Sequence, residues 1–446
     1  MNMDRTSPPP DRGLIRFVGT LGLAAAIANV TIGGGIFRLP SAAAEALGPA
    51  APLAYVVCAV VMGLIVLCIA EAGSRVALTG GPYAYVEVAF GPFVGFLTGV
   101  MLWLLGTTAV AAVSTVFIDN LGVLWPAVAT PLGRAVALAS SFALIGAINV
   151  VGVKHGARLN VVTTVAKLLP LLLLVAVGLF AIDPANLVMA ETPSTAAVTR
   201  ASIVLIFAFS GIESALVPGG EVRDPARTVP RAIFLAMSGI TVLYLGLQFV
   251  AQGVLGPALA DSTTPLADAA GVVLGPWGRS LLLVGVVVAT FGYLSGMTLA
   301  APRALYAFSR DGFLPRALGA VHPRFHTPWI AIIVQTTLTC VLGITSGFGA
   351  LAVIANVAAL LVYFGCAAAA WELRRRDVRM EGAVPFRVPG AALVPVLAGL
   401  AIIVLLTSIT WPEWLVLLEV AAVAAIIFAI TRQRRATAAQ KSSPRE

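Results

Sequence analysis

The chain has 446 residues, of which 59% are hydrophobic and only 11% charged. Soluble domains carry roughly a quarter charged residues, so this balance, with a mean hydropathy of +0.98, excludes an ordinary soluble fold. The net charge of +8 invites a nucleic-acid reading, but the basic residues flank apolar runs on one side instead of forming a binding face.

A short polar tail, residues 1–13 with "SPPPDRG", precedes the first apolar run. That run is long and is followed by others, so it is expected to be a span and not a cleaved signal peptide. Apolar runs of about 20 residues, each enough to cross a hydrocarbon layer of roughly 30 Å, recur along the whole length. We place about twelve, at 14–45, 50–77, 92–118, 132–152, 157–182, 198–220, 231–255, 277–308, 328–345, 348–373, 392–410 and 413–431. The expected class is an all-α, polytopic integral membrane protein. The four cysteines, Cys58, Cys68, Cys340 and Cys366, fall inside these runs without metal-ligand spacing and read as small packing residues.

Basic residues set the orientation. With the N-terminus inside, the inner segments collect "VKHGAR", "EVRDPARTVPR", "SRDGFLPR", "WELRRRDVR" and "TRQRRATAAQK". The opposite loops hold only Arg38, Arg134, Arg200 and Arg279. Both termini are therefore expected in the cytoplasm, with the protein in the cell membrane and a second polar tail at 432–446.

Two spans are spoiled in the middle. In "IANVTIGGGIFRLP" three glycines, Gly33 to Gly35, interrupt span one; in "IVLIFAFSGIESALVPGGEV" the pair Ser210-Gly211 interrupts span six, with Glu213 just beyond. Broken helices five spans apart and pointing opposite ways are what an inverted repeat of five plus five spans produces, with substrate held at the midplane between them. On that scheme 14–182 is the first repeat, 198–345 carries helices 6–9 of the second, 348–373 completes it, and 392–431 lies outside. An unwound segment in lipid leaves peptide N–H and C=O groups unsatisfied at several kcal/mol each unless protein, water or ligand meets them. Glycines let the chain adopt conformations other residues avoid and let a ligand approach the backbone. The half-helix after a break offers N–H groups and a positive dipole end to an anion; the one before it offers carbonyls to a cation. A zwitterion meets both demands. Close helix packing through small residues is the competing reading.

Lys167, in "VVTTVAKLLPLLLLV", lies about ten residues into span five, roughly 15 Å deep at 1.5 Å per residue. A charged lysine there costs a few kcal/mol, so it is expected to face the protein interior or lose its proton. It either carries the coupling proton or serves as a structural strut. Glu213 lines the pathway, gates it or caps a helix; Glu71 is structural or part of an inner gate.

Four stretches carry a family resemblance: "TIGGGIFRLP", "LTGGPYAYVEVAFGPFVGF", "FAFSGIESALVPGGEVRDPARTVPRAI" and "RALYAFSRDGFLP". Through them the chain resembles the amino acid–polyamine–organocation transporters, whose inverted-repeat fold is shared with the leucine transporter, over nearly its whole length. The resemblance implies that Ile32, Gly33, Gly34 and Gly35 bind an amino acid's carboxylate and amino group through backbone atoms. It also implies that Phe207, Ala208 and Ser210 supply the span-six side, with Phe207 gating access from outside. Phe209 and Gly211 complete that side of the expected site. The commoner pattern has Ser or Thr where this chain has Gly34, which removes a hydroxyl from the carboxylate site. In proton-coupled relatives a lysine at the position of Lys167 takes the place of a sodium ion.

The expected function is secondary active transport of amino acids by alternating access, as proton-coupled uptake of neutral L-amino acids. The proton is the coupling ion, and no other cofactor and no metal is expected. The expected partners are the amino acid and membrane lipid, with no nucleic acid. An exchanger of amino acids or polyamines handling cationic substrates stays open as the alternative, as does a channel or sensor. An integral-membrane enzyme needs a reactive constellation, and the three histidines, His155, His322 and His326, fall in loops without acidic ligands nearby. No phosphate-cradling P-loop is present.

Overall fold

The computed structural model describes residues 18–442, apart from 77, 79, 152–155, 190–191, 217–221, 311, 380–383, 389 and 391. The 1–13 tail and His155 lie outside the described residues. The first half of the chain forms α1 (Thr20–Thr31), α2 (Leu39–Leu47), α3 (Ala51–Arg75), α4 (Pro82–Phe90), α5 (Pro92–Leu124), α6 (Pro131–Val151) and α7 (Gly156–Gly178). The second half forms α8 (Thr195–Phe209), α9 (Ile212–Ala215), α10 (Pro225–Leu255), α11 (Pro265–Ala300), α12 (Pro302–Arg310), α13 (Trp329–Thr345), α14 (Phe348–Arg375), α15 (Leu393–Leu406) and α16 (Trp411–Ser442). No strand occurs among the described residues; a single parallel bridge joins Val18 to Val222.

Helices start where the sequence supplies a prebuilt first turn. Proline opens α4, α5, α6, α10, α11 and α12, where its missing N–H costs nothing and its fixed φ suits the helix. Ser194 caps α8, its hydroxyl accepting from the Ala197 N–H at 3.2 Å. The segment from 432, expected as a polar tail, continues α16 as helix to Ser442, since its Ala, Arg and Gln are strong helix formers.

Among the described residues, seven helical stretches are long and apolar enough to cross a membrane, the longest combining α11 and α12; five shorter apolar helices accompany them. Their outer faces expose large apolar side chains such as Leu132, Val242 and Phe180, the pattern of helices whose outward surroundings are not water. The inward faces close a single core. Within it α10 packs on α1 and α3, and α8 on α2 and α3; α5 packs on α11 and α13, and α13 on α6. Helix α14 lies between these groups against α5, α3 and α8, while α7 rests on α11 and α10.

Buried charge knits one end of the bundle. Glu71 on α3 is fully buried, and its carboxylate accepts from Arg75 Nε and Nη2 at 3.1 and 3.0 Å. It also accepts from both Nε and Nη2 of Arg374 on α14 and from the Val388 N–H at 3.1 Å. Arg75, equally buried, donates to Val378 O, and Ser74 Oγ accepts from the Phe386 N–H. The chain beyond α14 is thus strapped onto the end of α3.

Candidate functional site

Helix α1 stops for a local reason. The Gly33 N–H turns to Thr31 O at 2.7 Å instead of reaching the Asn29 carbonyl four residues back. A 3₁₀ turn at Gly35–Phe37 then leads into α2. None of the three glycines adopts a positive φ, and Gly34 has φ −78° and ψ −20°. The expectation that they supply unusual backbone conformations is therefore corrected. Their role is to leave room. A Cβ on Gly34 would lie 2.4 Å from Val113 Cγ1 of α5, one on Gly35 2.6 Å from Phe207 Cδ1, and one on Gly33 3.3 Å from Tyr293.

At the second break the glycine is needed for both reasons. Gly211 sits at φ +122°, and a Cβ there would stand 3.0 Å from Thr31 Cα. The two interruptions therefore touch. Glu213 reaches back to accept from the Gly211 N–H at 2.8 Å, satisfying a peptide group that the break frees. Its other oxygen accepts from the Tyr363 hydroxyl of α14 at 2.6 Å.

The freed carbonyls find protein donors. Lys167 on α7, 5% exposed, donates through its ammonium to Asn29 O. The Tyr244 hydroxyl of α10 donates to Thr31 O at 3.1 Å. Within α8, upstream of its break, Asn356 Nδ2 donates to the in-helix carbonyl of Ile203 at 2.7 Å. No carboxylate among the described residues forms an ion pair with Lys167.

Between the breaks lies a narrow cavity of about 20 Å³, room for roughly one water molecule. Gly33, Gly34, Gly35, Phe207, Ser210, Gly211 and Glu213 line it, as do Val30 and Thr31 from the end of α1. Ile32, Ala208 and Phe209 are buried but face elsewhere; Phe209 packs edge-on against Tyr244, with ring centroids 5.4 Å apart. Lys167 does not line the cavity; it sits behind the wall that α1 makes. Phe207, on the wall, meets Phe348 edge-on with ring centroids 5.6 Å apart. On the same side of the break, Arg38 donates to Ser262 O and Ser41 to Ala260 O, pinning the start of α2 to the turn after α10.

The sequence reading missed the rest of the wall: Leu105, Gly106, Ala109 and Val113 from α5, and Tyr293 and Met297 from α11. The α5 residues recur at helical spacing, but an apolar stripe of that kind does not differ in sequence from core. Tyr293 and Tyr363 carried a usable signal, being polar groups inside apolar runs that need a partner. His322 and His326 sit in the loop before α13, where His322 Nδ1 accepts from the Arg324 N–H.

A family model for amino acid permeases matches residues 18–432. The chain is 36% identical to an uncharacterized transporter of Mycobacterium tuberculosis over 346 residues, 74% of this chain and 76% of the relative. It is 29% identical to the serine/threonine exchanger SteT of Bacillus subtilis, covering 87% of this chain and 90% of that one. To the branched-chain amino acid permease BcaP of Bacillus subtilis it is 27% identical, over 90% of each chain. Match and relatives agree with the apolar helices in indicating a multi-pass membrane transporter, not an enzyme. The chain belongs to the amino acid permease family.

Proposed function

We propose that this permease is a secondary active transporter that takes up neutral L-amino acids by alternating access, with a proton as the coupling ion. The observation that carries the reading is the meeting of two broken helices at one cavity, with peptide groups and small residues on its walls. The carboxylate and ammonium of the substrate would bind the backbone of Gly33, Gly34 and Gly35 and of Ser210 and Gly211, under Phe207 as the gate. Ile32, Ala208 and Phe209 would act by shaping that backbone from behind.

The accompanying architecture we propose is twelve spans, with 14–182 and 198–373 as inverted five-helix repeats and 392–431 outside them. Both termini would be cytoplasmic in the cell membrane. The positions of α1 and α8 in chain order, and the arginines beyond α14, support this arrangement.

Neutral substrates are favoured by the state of Glu213. It is the one carboxylate among the described lining residues, and both its oxygens are engaged, by Gly211 and by Tyr363. A cationic side chain would have to displace the Tyr363 hydroxyl to reach it. Proton coupling is favoured by a buried lysine that holds a carbonyl at the break and has no ion-pair partner among the described residues.

Exchange is the second reading. A relative at 29% identity is named a serine/threonine exchanger, and a permanently charged Lys167 would serve as a strut between α7 and α1. A cationic substrate would then draw on Glu213. Uptake of labelled alanine and arginine into proteoliposomes, with and without an inward proton gradient and with varied internal amino acid, separates these. Uptake that needs the gradient and no internal substrate supports the symporter; uptake that needs internal amino acid replaces it with the exchanger.

A further inference from the structure

A second hollow lies away from the broken helices, on the outside of the bundle between α14 and α15. It is a groove of about 420 Å³, walled by Phe364, Ala368, Trp371, Val396, Leu400 and Ile403. Phe364 lies across Gly399 at van der Waals distance: a Cβ on that glycine would lie 3.5 Å from the ring. Phe364, Trp371, Val396, Leu400 and Ile403 are all exposed, at 42–53%, far more than packed side chains in a core. Phe364 to Trp371 and Val396 to Ile403 each span seven residues, about 11 Å of helix at 1.5 Å per residue. That is about two-thirds of one leaflet, half of a hydrocarbon layer of roughly 30 Å.

One end of the groove is marked by charge. Glu372 closes it, and that single carboxylate accepts from Arg375 at 2.8 and 2.9 Å and from Arg376 at 2.5 Å. Two guanidiniums on one carboxylate leave an excess of positive charge, and their side chains remain 68% and 51% exposed. Neither is drawn into the buried Glu71 cluster, which takes Arg374 instead. Trp371, at the same level, suits the boundary between hydrocarbon and headgroups.

We propose that this groove is a binding site for an anionic phospholipid, with one acyl chain lying between α14 and α15 and the phosphate on Arg375 and Arg376. The apolar trough runs along about two-thirds of one leaflet, and the positive excess stands where the headgroup of a lipid in that trough must be. Basic pockets between spans at the headgroup level bind anionic lipid in this way. On the orientation proposed above this is the cytoplasmic leaflet, but the site itself does not depend on which side that is, nor on what the permease carries.

The test uses the full purified chain in detergent, titrated with phosphatidylglycerol or with phosphatidylcholine of the same acyl chains, reading thermal stability. The expected result is half-maximal stabilisation at about tenfold lower phosphatidylglycerol than phosphatidylcholine. The double variant Arg375→Gln/Arg376→Gln should lose that preference while still responding to both lipids. Ala368→Trp, on the lipid-facing wall, should lose the response to both. Equal potency of the two lipids on the wild type, or a tenfold preference that survives in the double arginine variant, would overturn the headgroup assignment. A full response in Ala368→Trp would overturn the acyl site.

Discussion

The ammonium of Lys167 donates to the carbonyl oxygen of Asn29, the oxygen that the interruption of α1 leaves without its in-helix donor. The contact links α7 to the helix whose break forms the cavity wall, so the state of the lysine and the geometry of the cavity are mechanically joined. Replacing Lys167 with alanine should abolish uptake driven by a proton gradient while leaving measurable substrate binding. The check is uptake as a function of external pH: the wild type should gain activity as the inward gradient grows and Lys167→Ala should not. A variant that keeps the wild-type pH profile would reduce the lysine to a strut.

Gly35 stands under the Phe207 ring, with 2.6 Å from its missing Cβ position to Phe207 Cδ1. Any larger side chain there must enter the cavity or drive the phenylalanine out of its edge-on contact with Phe348. Gly35→Leu, and Gly33→Leu facing Tyr293, should remove substrate binding in protein that still elutes as a folded species. Binding of labelled amino acid to purified variants measures this directly, and wild-type affinity in either one would mean that substrate sits elsewhere.

Gly34 and Val113 form a second steric pair. A Cβ on Gly34 would meet Val113 Cγ1 at 2.4 Å and Cγ2 at 2.9 Å, distances that a methyl group does not tolerate. Restoring a hydroxyl with Gly34→Ser should therefore cost about 1–3 kcal/mol by overpacking. Val113→Ala opens the space, so Gly34→Ser/Val113→Ala should recover most of the loss. Thermal stability of the four proteins in a double-mutant cycle gives the coupling. Simple additivity would show that Val113 swings clear on its own.

The membrane class, most of the apolar helical runs (though not the short α4) and the two breaks were legible because each leaves a mark in one dimension. Apolar length marks a span, Gly33 to Gly35 and Ser210-Gly211 mark interruptions, and Lys167 is conspicuous by its cost. The purpose of Gly33 to Gly35 was read only in part. None of them has a positive φ, and what crowds a side chain is Val113, Phe207 and Tyr293, which reach them from other helices. That Ile32 and Phe209 turn away from the cavity depends on the rotation of α1 and α8 after packing, which apolar sequence does not encode. Tyr363 and Glu213 lie 150 positions apart, so their hydrogen bond had no local trace. Glu71 was visible as a charge near a helix end, but its five donors come from three separate segments.

That cluster gives the sharpest prediction of stability. Glu71 and Arg75 have no exposed surface, whereas Arg200, paired with Glu413 at 2.9 Å, keeps 41% of its side chain in the open. Taking the carboxylate from the buried cluster leaves Arg75 charged and without an anion, a loss of about 3–5 kcal/mol. Breaking an exposed pair costs about 0–1 kcal/mol. Glu71→Ala should thus lower the unfolding temperature far more than Arg200→Ala. Glu71→Gln, which keeps an acceptor oxygen for the Val388 N–H, should fall between them. The loss should also be local before it is global, because the Val388 N–H is held by Glu71 itself and the Phe386 N–H by its neighbour Ser74. Hydrogen exchange at both amides should rise in Glu71→Ala and stay unchanged in Arg200→Ala. Equal destabilisation by the two alanine variants would mean that burial does not decide the strength of these ion pairs.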